Sequence, residues 1–257
     1  MTTEKFLAEP PITVRELTMA YGDTVIQRDL DFTVNRGDIF IIMGASGSGK
    51  STLLRHMIGL NAPVHGQVLF HGTDFWAADE GERNRIRRSC GVLYQSGALW
   101  SSMTLAENVA FPLQEHTNLA PPRIREIVAL KLALVGLSGF EGYYPAELSG
   151  GMQKRAGLAR AMALDPEILF FDEPSSGLDP VSAQLLDELI LELRNSLSAT
   201  VVVVTHELAS IFAIGTNSIF LDAESHTMIA RGAPKELLSS SDDPRVRRFL
   251  TRGREAA

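Results

Sequence analysis

Nine consecutive residues carry the clearest chemistry in this sequence: Gly44-Ala45-Ser46-Gly47-Ser48-Gly49-Lys50-Ser51-Thr52. They fit G-x-x-x-x-G-K-[ST], in which glycines let successive backbone N–H groups turn toward phosphate oxygens, with a helix N-terminus behind them. Lys50 would reach the β- and γ-phosphates, and the Ser51 hydroxyl would ligand Mg²⁺. The flanks supply the context that the motif requires. Ile39-Phe40-Ile41-Ile42-Met43 reads as a buried parallel strand, and Leu53, Leu54, Met57, Ile58 and Leu60 recur at helical spacing. A Gly/Ser-rich turn with a chance lysine would not come with a strand before it and a helix after it. These residues imply nucleotide binding.

Polar residues also stand where three other apolar runs stop. Gln95 follows Gly91-Val92-Leu93-Tyr94, Asp172 and Glu173 follow Ile168-Leu169-Phe170-Phe171, and His206 follows Thr200-Val201-Val202-Val203-Val204 and Thr205. In a parallel α/β sheet those strand ends share one edge with Lys50, the edge where ligands bind. In-line phosphoryl hydrolysis needs a cradle, a metal, a positioned water and charge stabilisation. Asp172 fits as the acid holding Mg²⁺, directly or through water, and Glu173 as the general base for the attacking water. Adjacent acids after a strand also cap helices; the phosphate loop nearby decides against that reading. Gln95 suits Mg²⁺ or the water, and His206 the γ-phosphate. A histidine after a strand is usually structural, so His206 takes its role only from its company.

Around these residues the elements read as follows. Ile12–Tyr21 and Thr24–Val34 form an antiparallel hairpin, with Tyr21 at its tip either as an adenine platform or as an ordinary turn aromatic. Residues 64–75 read as a short strand pair in which His65 and His71 are turn or surface residues. The stretch 79–88 is a mixed-charge helix whose interleaved acids favour a solvated face over a nucleic-acid surface. Leu99 and Trp100 fall in a loop, either tucked under the domain or forming a docking surface. From 105 to 136 the pattern is helical, broken by Pro112 and Pro121-Pro122, with Leu130, Leu132, Leu134, Val135 and Leu137 as its core. Ser149 caps a helix over 152–164, and 181–197 is an amphipathic helix after the turn Ser176-Gly177-Leu178-Asp179-Pro180. Residues 219–221 and 228–230 make a closing strand pair. Asp243-Pro244 then starts a last helix with Val246, Phe249 and Leu250 on one face.

Composition bounds the function. The chain has 257 residues, 45% hydrophobic and 21% charged, with a net charge of −7. That balance argues against a broad basic surface for nucleic acid. The single cysteine, Cys90, excludes an intrachain disulfide and fits a reducing compartment. No apolar run approaches the roughly 18 residues of a membrane span, and the N-terminus lacks a signal peptide's apolar core. The expectation is a cytosol-facing protein.

Leu148-Ser149-Gly150-Gly151-Met152-Gln153 resembles the signature motif of ATP-binding cassette (ABC) ATPases, and the other family elements come with it in order. The resemblance makes Tyr21 the adenine-stacking aromatic, 44–52 the Walker A loop, Gln95 the Q-loop, and Ile168 to Glu173 the Walker B strand with its catalytic glutamate. It makes 176–180 the D-loop with Asp179, and His206 the switch histidine. The fold it implies is α/β of the P-loop NTPase class. A RecA-like core with an antiparallel β-lobe (about 10–95 and 165–240) receives an inserted helical lobe (about 96–164). Together these form one ATPase domain over 10–245, followed by a C-terminal helix and tail at 241–257. ATP and Mg²⁺ are the implied cofactors. Two copies would pair head to tail, with ATP between one copy's Walker A loop and Ser149, Gly150 and Gly151 of its mate.

Within that family several stretches resemble the ATPases of MCE-associated lipid transporters, the Mla type: 95–99, 107–113, Glu115-His116-Thr117 and 243–250. The resemblance implies a permease dimer docked at Leu99 and Trp100, an MCE-type lipid-binding protein, and a peripheral position on the cytoplasmic face of the cell membrane. No nucleic-acid partner is expected. One residue departs: some such ATPases carry Gly-Gln-Asp in the D-loop, where this chain has Gly177-Leu178-Asp179. The alternatives are an ABC ATPase for another cargo, such as an amino-acid or lipoprotein system, or a soluble ABC protein without a transporter. The basic tail (Arg245, Arg247, Arg248, Arg252, Arg254) reads as a solvated helix face, ahead of contacts with membrane, mate subunit or a small accessory protein.

Overall fold

In a computed structural model of the chain, residues 9–253 are described; Arg254, counted above in the basic tail, lies outside them. The phosphate-loop strand is β3 (Ile39–Gly44), every residue of which is buried. Its side chains alternate between two cores, because successive residues of a strand point to opposite faces. Ile39, Ile41 and Met43 enter one cluster, Phe40 and Ile42 the other. The same split runs through β7 (Ile168–Asp172) and β8 (Thr200–Val204). These strands are apolar throughout because both faces of the sheet are covered.

The main sheet has six strands in the order β10-β9-β3-β8-β7-β6, with β6 at Cys90–Leu93, β9 at Asn217–Asp222 and β10 at Thr227–Gly232. All neighbours are parallel except the edge pair β9–β10. The C-terminal ends of β3, β6, β7 and β8 therefore share one edge. A second, antiparallel sheet of order β2-β1-β4-β5 joins β1 (Ile12–Tyr21), β2 (Thr24–Val34), β4 (His65–Phe70) and β5 (Thr73–Asp74). It packs its apolar face on the cluster containing Phe40 and Ile42, where Phe32 stacks on Phe40 at 5.4 Å.

Helix α1 (Lys50–Met57) follows the phosphate loop, and α2 (Glu80–Arg88) is capped by Asp79, whose carboxylate accepts the Glu82 N–H at 2.8 Å. Between β6 and β7 lie α3 (Leu105–His116), α4 (Pro121–Leu134) and α5 (Gly150–Ala161). Thr104 and Glu107 form a reciprocal capping box at the start of α3. Ser149 caps α5, accepting the Met152 N–H at 3.3 Å. Helix α6 (Pro180–Leu197), α7 (Leu208–Ile214), α8 (Pro234–Ser240) and α9 (Pro244–Leu250) complete the fold. Among the described residues no helix is long and apolar enough to cross a membrane.

Two sequence expectations are corrected. Leu132, Val135 and Leu137 are buried, but Leu130 and Leu134 are exposed, because they fall on the outer face of α4 and its C-terminal turn. His71 does sit in a turn, at φ 48°, yet it is buried rather than on the surface. Its Nε2 lies 3.0 Å from a Glu167 oxygen, and Arg36 pairs with the other oxygen at 2.8 Å. This cluster links the β4–β5 turn to the start of β7.

The hydrogen bond from His71, ahead of the Arg36 charge, holds the Glu167 carboxyl below its ordinary value of 4.5. A depressed carboxylate contributes stability that is present above its unfolded value and lost as pH falls through the folded one. Wild-type protein should therefore lose thermal midpoint faster than Glu167→Gln as pH drops below 4.5. Parallel acid limbs in thermal melts would contradict this role.

Candidate active site

The residues expected to converge do so. A cavity of about 1000 Å³ is lined by the phosphate loop, Gln95, Glu173 and His206, drawn from the ends of four parallel strands. Gly44 stands at φ 151°, and a methyl group added to it would lie 2.3 Å from the backbone oxygen of Leu221. Only glycine permits so close an approach of the loop to β9. Gly47 and Gly49 take φ 80° and 87°, both in the left-handed region. Lys50 is buried, and its ammonium donates to the carbonyls of Gly44 at 3.0 Å and Ala45 at 2.9 Å. Burial lowers its pKa, while the charges of Glu173 and Asp172 act in the opposite sense. The lysine thus braces its own loop from within.

Ser51, in the first turn of α1, donates its hydroxyl to Asp172 Oδ1 at 2.9 Å. Glu173 follows at φ 49°, a strained conformation for a residue with a side chain. Its Oε1 lies 2.9 Å from His206 Nδ1, and its Oε2 is buried with no hydrogen-bond partner among the described residues. The amide of Gln95 reaches Ser176 Oγ at 3.5 Å.

Other expected residues lie elsewhere. Tyr21 is half exposed at the hairpin tip, with its hydroxyl 3.4 Å from the Asn61 amide. A hydrogen bond with Thr52 lowers its pKa. Ser149, Gly150, Gly151 and Asp179 do not line this cavity. They adjoin one another instead: a methyl group at Gly151 would sit 3.3 Å from the Ser182 side chain, on the first turn of α6. The Asp179 carboxylate accepts the N–H groups of Val181 at 3.1 Å and Ser182 at 3.0 Å. The hydroxyl of Ser182 holds that carboxyl below its ordinary value.

Three supporting residues escaped the sequence reading. Gln27 is fully buried in β2, and its amide donates to Ser48 O at 2.9 Å and Asp222 O at 2.8 Å. Lys154 on α5 donates to the carbonyls of Ser176 and, at 3.4 Å, Glu173. Arg160 donates to Ala98 O at 2.7 Å and Gly97 O at 3.0 Å. The available signal was a polar side chain in an otherwise inward-facing position: Gln27 within an apolar alternation, Lys154 among the small residues of a packed helix.

Residues 27–176 match the ABC transporter family. Over 239 residues the chain is 41% identical to the intermembrane phospholipid transport system ATP-binding protein MlaF of Escherichia coli K12, covering 93% of this chain and 88% of the relative. The chain belongs to the ABC transporter ATP-binding proteins. This ABC ATPase is also 44% identical over 249 residues to the probable ribonucleotide transport ATP-binding protein mkl of Mycobacterium tuberculosis H37Rv, covering 97% of this chain and 68% of that one. Among solved structures it superposes on CbiO1 of Clostridium perfringens with a TM-score of 0.82 at 26% identity, over 91% and 92% of the two chains. It superposes on MJ0796, a dimeric cassette bound to ADP and phosphate, with a TM-score of 0.77 at 28% identity, over 86% and 98%. The expected fold class, α/β of the P-loop ABC ATPase type, and nucleotide-hydrolysing activity are those of this family.

Glycines in the loop differ in how much room they have. Gly44→Ala meets the Leu221 backbone, whereas a methyl group at Gly47 meets nothing within 4 Å. Gly44→Ala should lose about 3 kcal/mol of stability, from overlap with the Leu221 backbone added to backbone strain, and Gly47→Ala about 1 kcal/mol, from backbone strain alone. Equal losses in denaturant unfolding would contradict the close approach.

Proposed function

We propose that this ABC ATPase works at the cavity described above, as a head-to-tail pair with a second copy, and powers phospholipid transport from the cytoplasmic face of a membrane. The observation that carries the reading is the convergence of the phosphate loop, Gln95, Glu173 and His206 on one cavity, with Ser51 bonded to Asp172 and His206 to Glu173. ATP is the substrate. The N–H groups of the loop 44–49 and α1 receive its phosphates, Lys50 turns from its own carbonyls to the β- and γ-phosphates, and Tyr21 stacks on the adenine.

Ser51, Asp172 and Gln95 supply a hydroxyl, a carboxylate and an amide oxygen, a hard-donor set that suits Mg²⁺ with phosphates and waters completing it. When bound, the ion neutralises charge on the β- and γ-phosphate oxygens. Glu173 is the general base. His206 fixes one carboxylate oxygen, leaving the buried, unpartnered Oε2 to take the proton as a water oxygen bonds the γ-phosphorus and the β–γ bridging bond breaks. His206 then contacts the γ-phosphate. That Ser149, Gly150, Gly151 and Asp179 lie outside the cavity supports their serving the nucleotide of the mate. The dimeric assembly of MJ0796 supports the same pairing.

Phospholipid as cargo rests on the likeness to MlaF of E. coli and of Haemophilus influenzae, 43% identical over 239 residues. A membrane permease and an MCE-type lipid-binding protein are the partners this reading requires. The name of the mkl relative favours a second reading, ribonucleotide cargo. The permease would dock where Trp100 stands 54% exposed against Phe111, with Leu99 partly buried beside it. Asn108 fixes this loop by exchanging hydrogen bonds with the Trp100 backbone and donating to Met103 O and Thr104 O. The tryptophan is thus displayed on an ordered support.

Lys50→Ala should lose ATP binding, and Glu173→Gln should bind ATP but release phosphate at least about 100-fold more slowly. Phosphate release at the wild-type rate by Glu173→Gln removes that residue from the chemistry. Tagged wild-type protein purified in mild detergent should bring down a multi-span permease with bound phospholipid. Nucleotide in place of lipid would favour the second reading. Trp100→Ser with Leu99→Ser should reduce permease recovery several-fold without changing ATP affinity; undiminished recovery would remove the loop from the interface.

A further inference from the structure

The cavity has a wall that none of the motifs accounts for. Alongside the phosphate loop and His206, it is lined by Arg245, Arg248, Phe249 and Arg252 from α9 and the residues after it. The sequence reading treated these arginines as a solvated face. The helix is instead built into the fold. Val246 and Leu250 are buried in the main core, and the Phe249 ring meets Phe220 of β9 edge-on at 5.2 Å. Asp243 caps the helix by accepting the Arg245 N–H at 2.8 Å.

The three arginines are not equivalent. Arg245 is committed: its guanidinium pairs with Asp222 and Asp243, each at 2.7 Å. Among the described residues the Arg252 side chain makes one long contact, 3.8 Å to Glu207, the neighbour of His206. The Arg248 guanidinium has no hydrogen-bond or ion-pair partner among the described residues. A nucleoside triphosphate is a polyanion, and the cavity already holds the acids Glu173 and Glu224 with Asp172 just behind Ser51. Lys50 alone balances little of that charge, so further cations facing the cavity are electrostatically favoured.

We propose that Arg248 and Arg252 are nucleotide-contacting residues, a cationic wall of the same cavity that binds the polyphosphate beside the glycine loop. This rests on the active-site reading above and extends it to residues outside the family's motifs. Anchoring by Val246, Phe249, Leu250 and Arg245 holds α9 in place, so little ordering entropy is lost when the two guanidinium groups engage phosphate. On binding, Arg252 exchanges its loose contact with Glu207 for phosphate oxygen.

The test measures Mg-ATP and Mg-ADP affinity by calorimetry on the full chain, for wild type, Lys50→Ala, Arg248→Gln with Arg252→Gln, and Arg248→Lys with Arg252→Lys. Both arginines are exposed, so the substitutions should leave the thermal midpoint unchanged. The double glutamine variant should bind ATP about five- to tenfold more weakly, as expected for two partly solvated ion pairs, with a smaller loss for ADP. The double lysine variant should recover most of the affinity. ATP affinity within twofold of wild type in the glutamine variant overturns the proposal. So does an unchanged ATP affinity accompanied by lost binding to phosphatidylglycerol vesicles, which would assign the arginines to a membrane surface. Absence of ATP binding by wild type would instead defeat the active-site reading itself. ATP binding lost only in Lys50→Ala would leave that reading standing and defeat this one.

Discussion

A phosphate-binding loop is useful only if its N–H groups are fixed before the anion arrives, and here they are pinned from behind. The amide of Gln27 bridges the carbonyls of Ser48 in the loop and Asp222 at the end of β9. Gly44 lies against the Leu221 carbonyl with no room for a side chain. Lys50 gathers the carbonyls of Gly44 and Ala45 from the inside. Within the loop the Ser48 N–H donates to Ala45 O at 3.2 Å, so its backbone is held by contacts from three sides. The position of every other site residue is measured from this loop, because β3 lies beside both β8 and β9 in the sheet.

From that fixed point, α5 carries the connection to the helices inserted between β6 and β7. Lys154 holds the backbone after β7, Arg160 holds the loop after Gln95, and Arg155 donates to Val135 O at 2.8 Å beyond the end of α4. One helix therefore grips two loops that approach the phosphate site and the segment that packs α4. The backbone after β7 and the loop after Gln95 are thus tied through one helix to the helical region. Trp100 stands a few residues beyond the carbonyls that Arg160 holds. Whether a ligand moves this unit depends on its differential affinity for two arrangements, and α5 supplies the element that both sites can bias.

Much of this was legible in the sequence, for a physical reason. The strands β3, β7 and β8 are covered on both faces, so they read as unbroken apolar runs, and a charged residue after such a run marks the open edge of a parallel sheet. Asp172, Glu173 and His206 were found in that way, and the phosphate loop by its own spacing of glycines, lysine and serine. Helix starts were equally plain at Ser149 and Asp243, where a capping side chain precedes them. What stayed hidden depends on partners distant in sequence. His71 was rightly placed in a turn, but its burial was hidden because its partner, Glu167, is 96 residues away. Gln27 reaches Asp222 over 195 residues. Leu130 and Leu134 were misplaced because an apolar count cannot tell which face of α4 meets its neighbours.

The proposed base, Glu173, shows how the fold sustains strain at the sheet edge. Glu173 adopts φ 49°, which costs free energy for any residue with a Cβ. Its N–H is held by the Val204 carbonyl at 2.8 Å, the last residue of β8. The next residue, Thr205, is buried and donates its N–H to Ile42 O of β3 at 3.4 Å. His206 follows immediately and binds the Glu173 carboxylate. The backbone of the base, the backbone of its histidine and the phosphate-loop strand are thus laced together over three residues. The strained turn lets Glu173 leave β7 sharply enough for its side chain to face His206 at the sheet edge. Three strands buried on both faces resist its relaxation, so the base stays in place with one oxygen bound and the other bare.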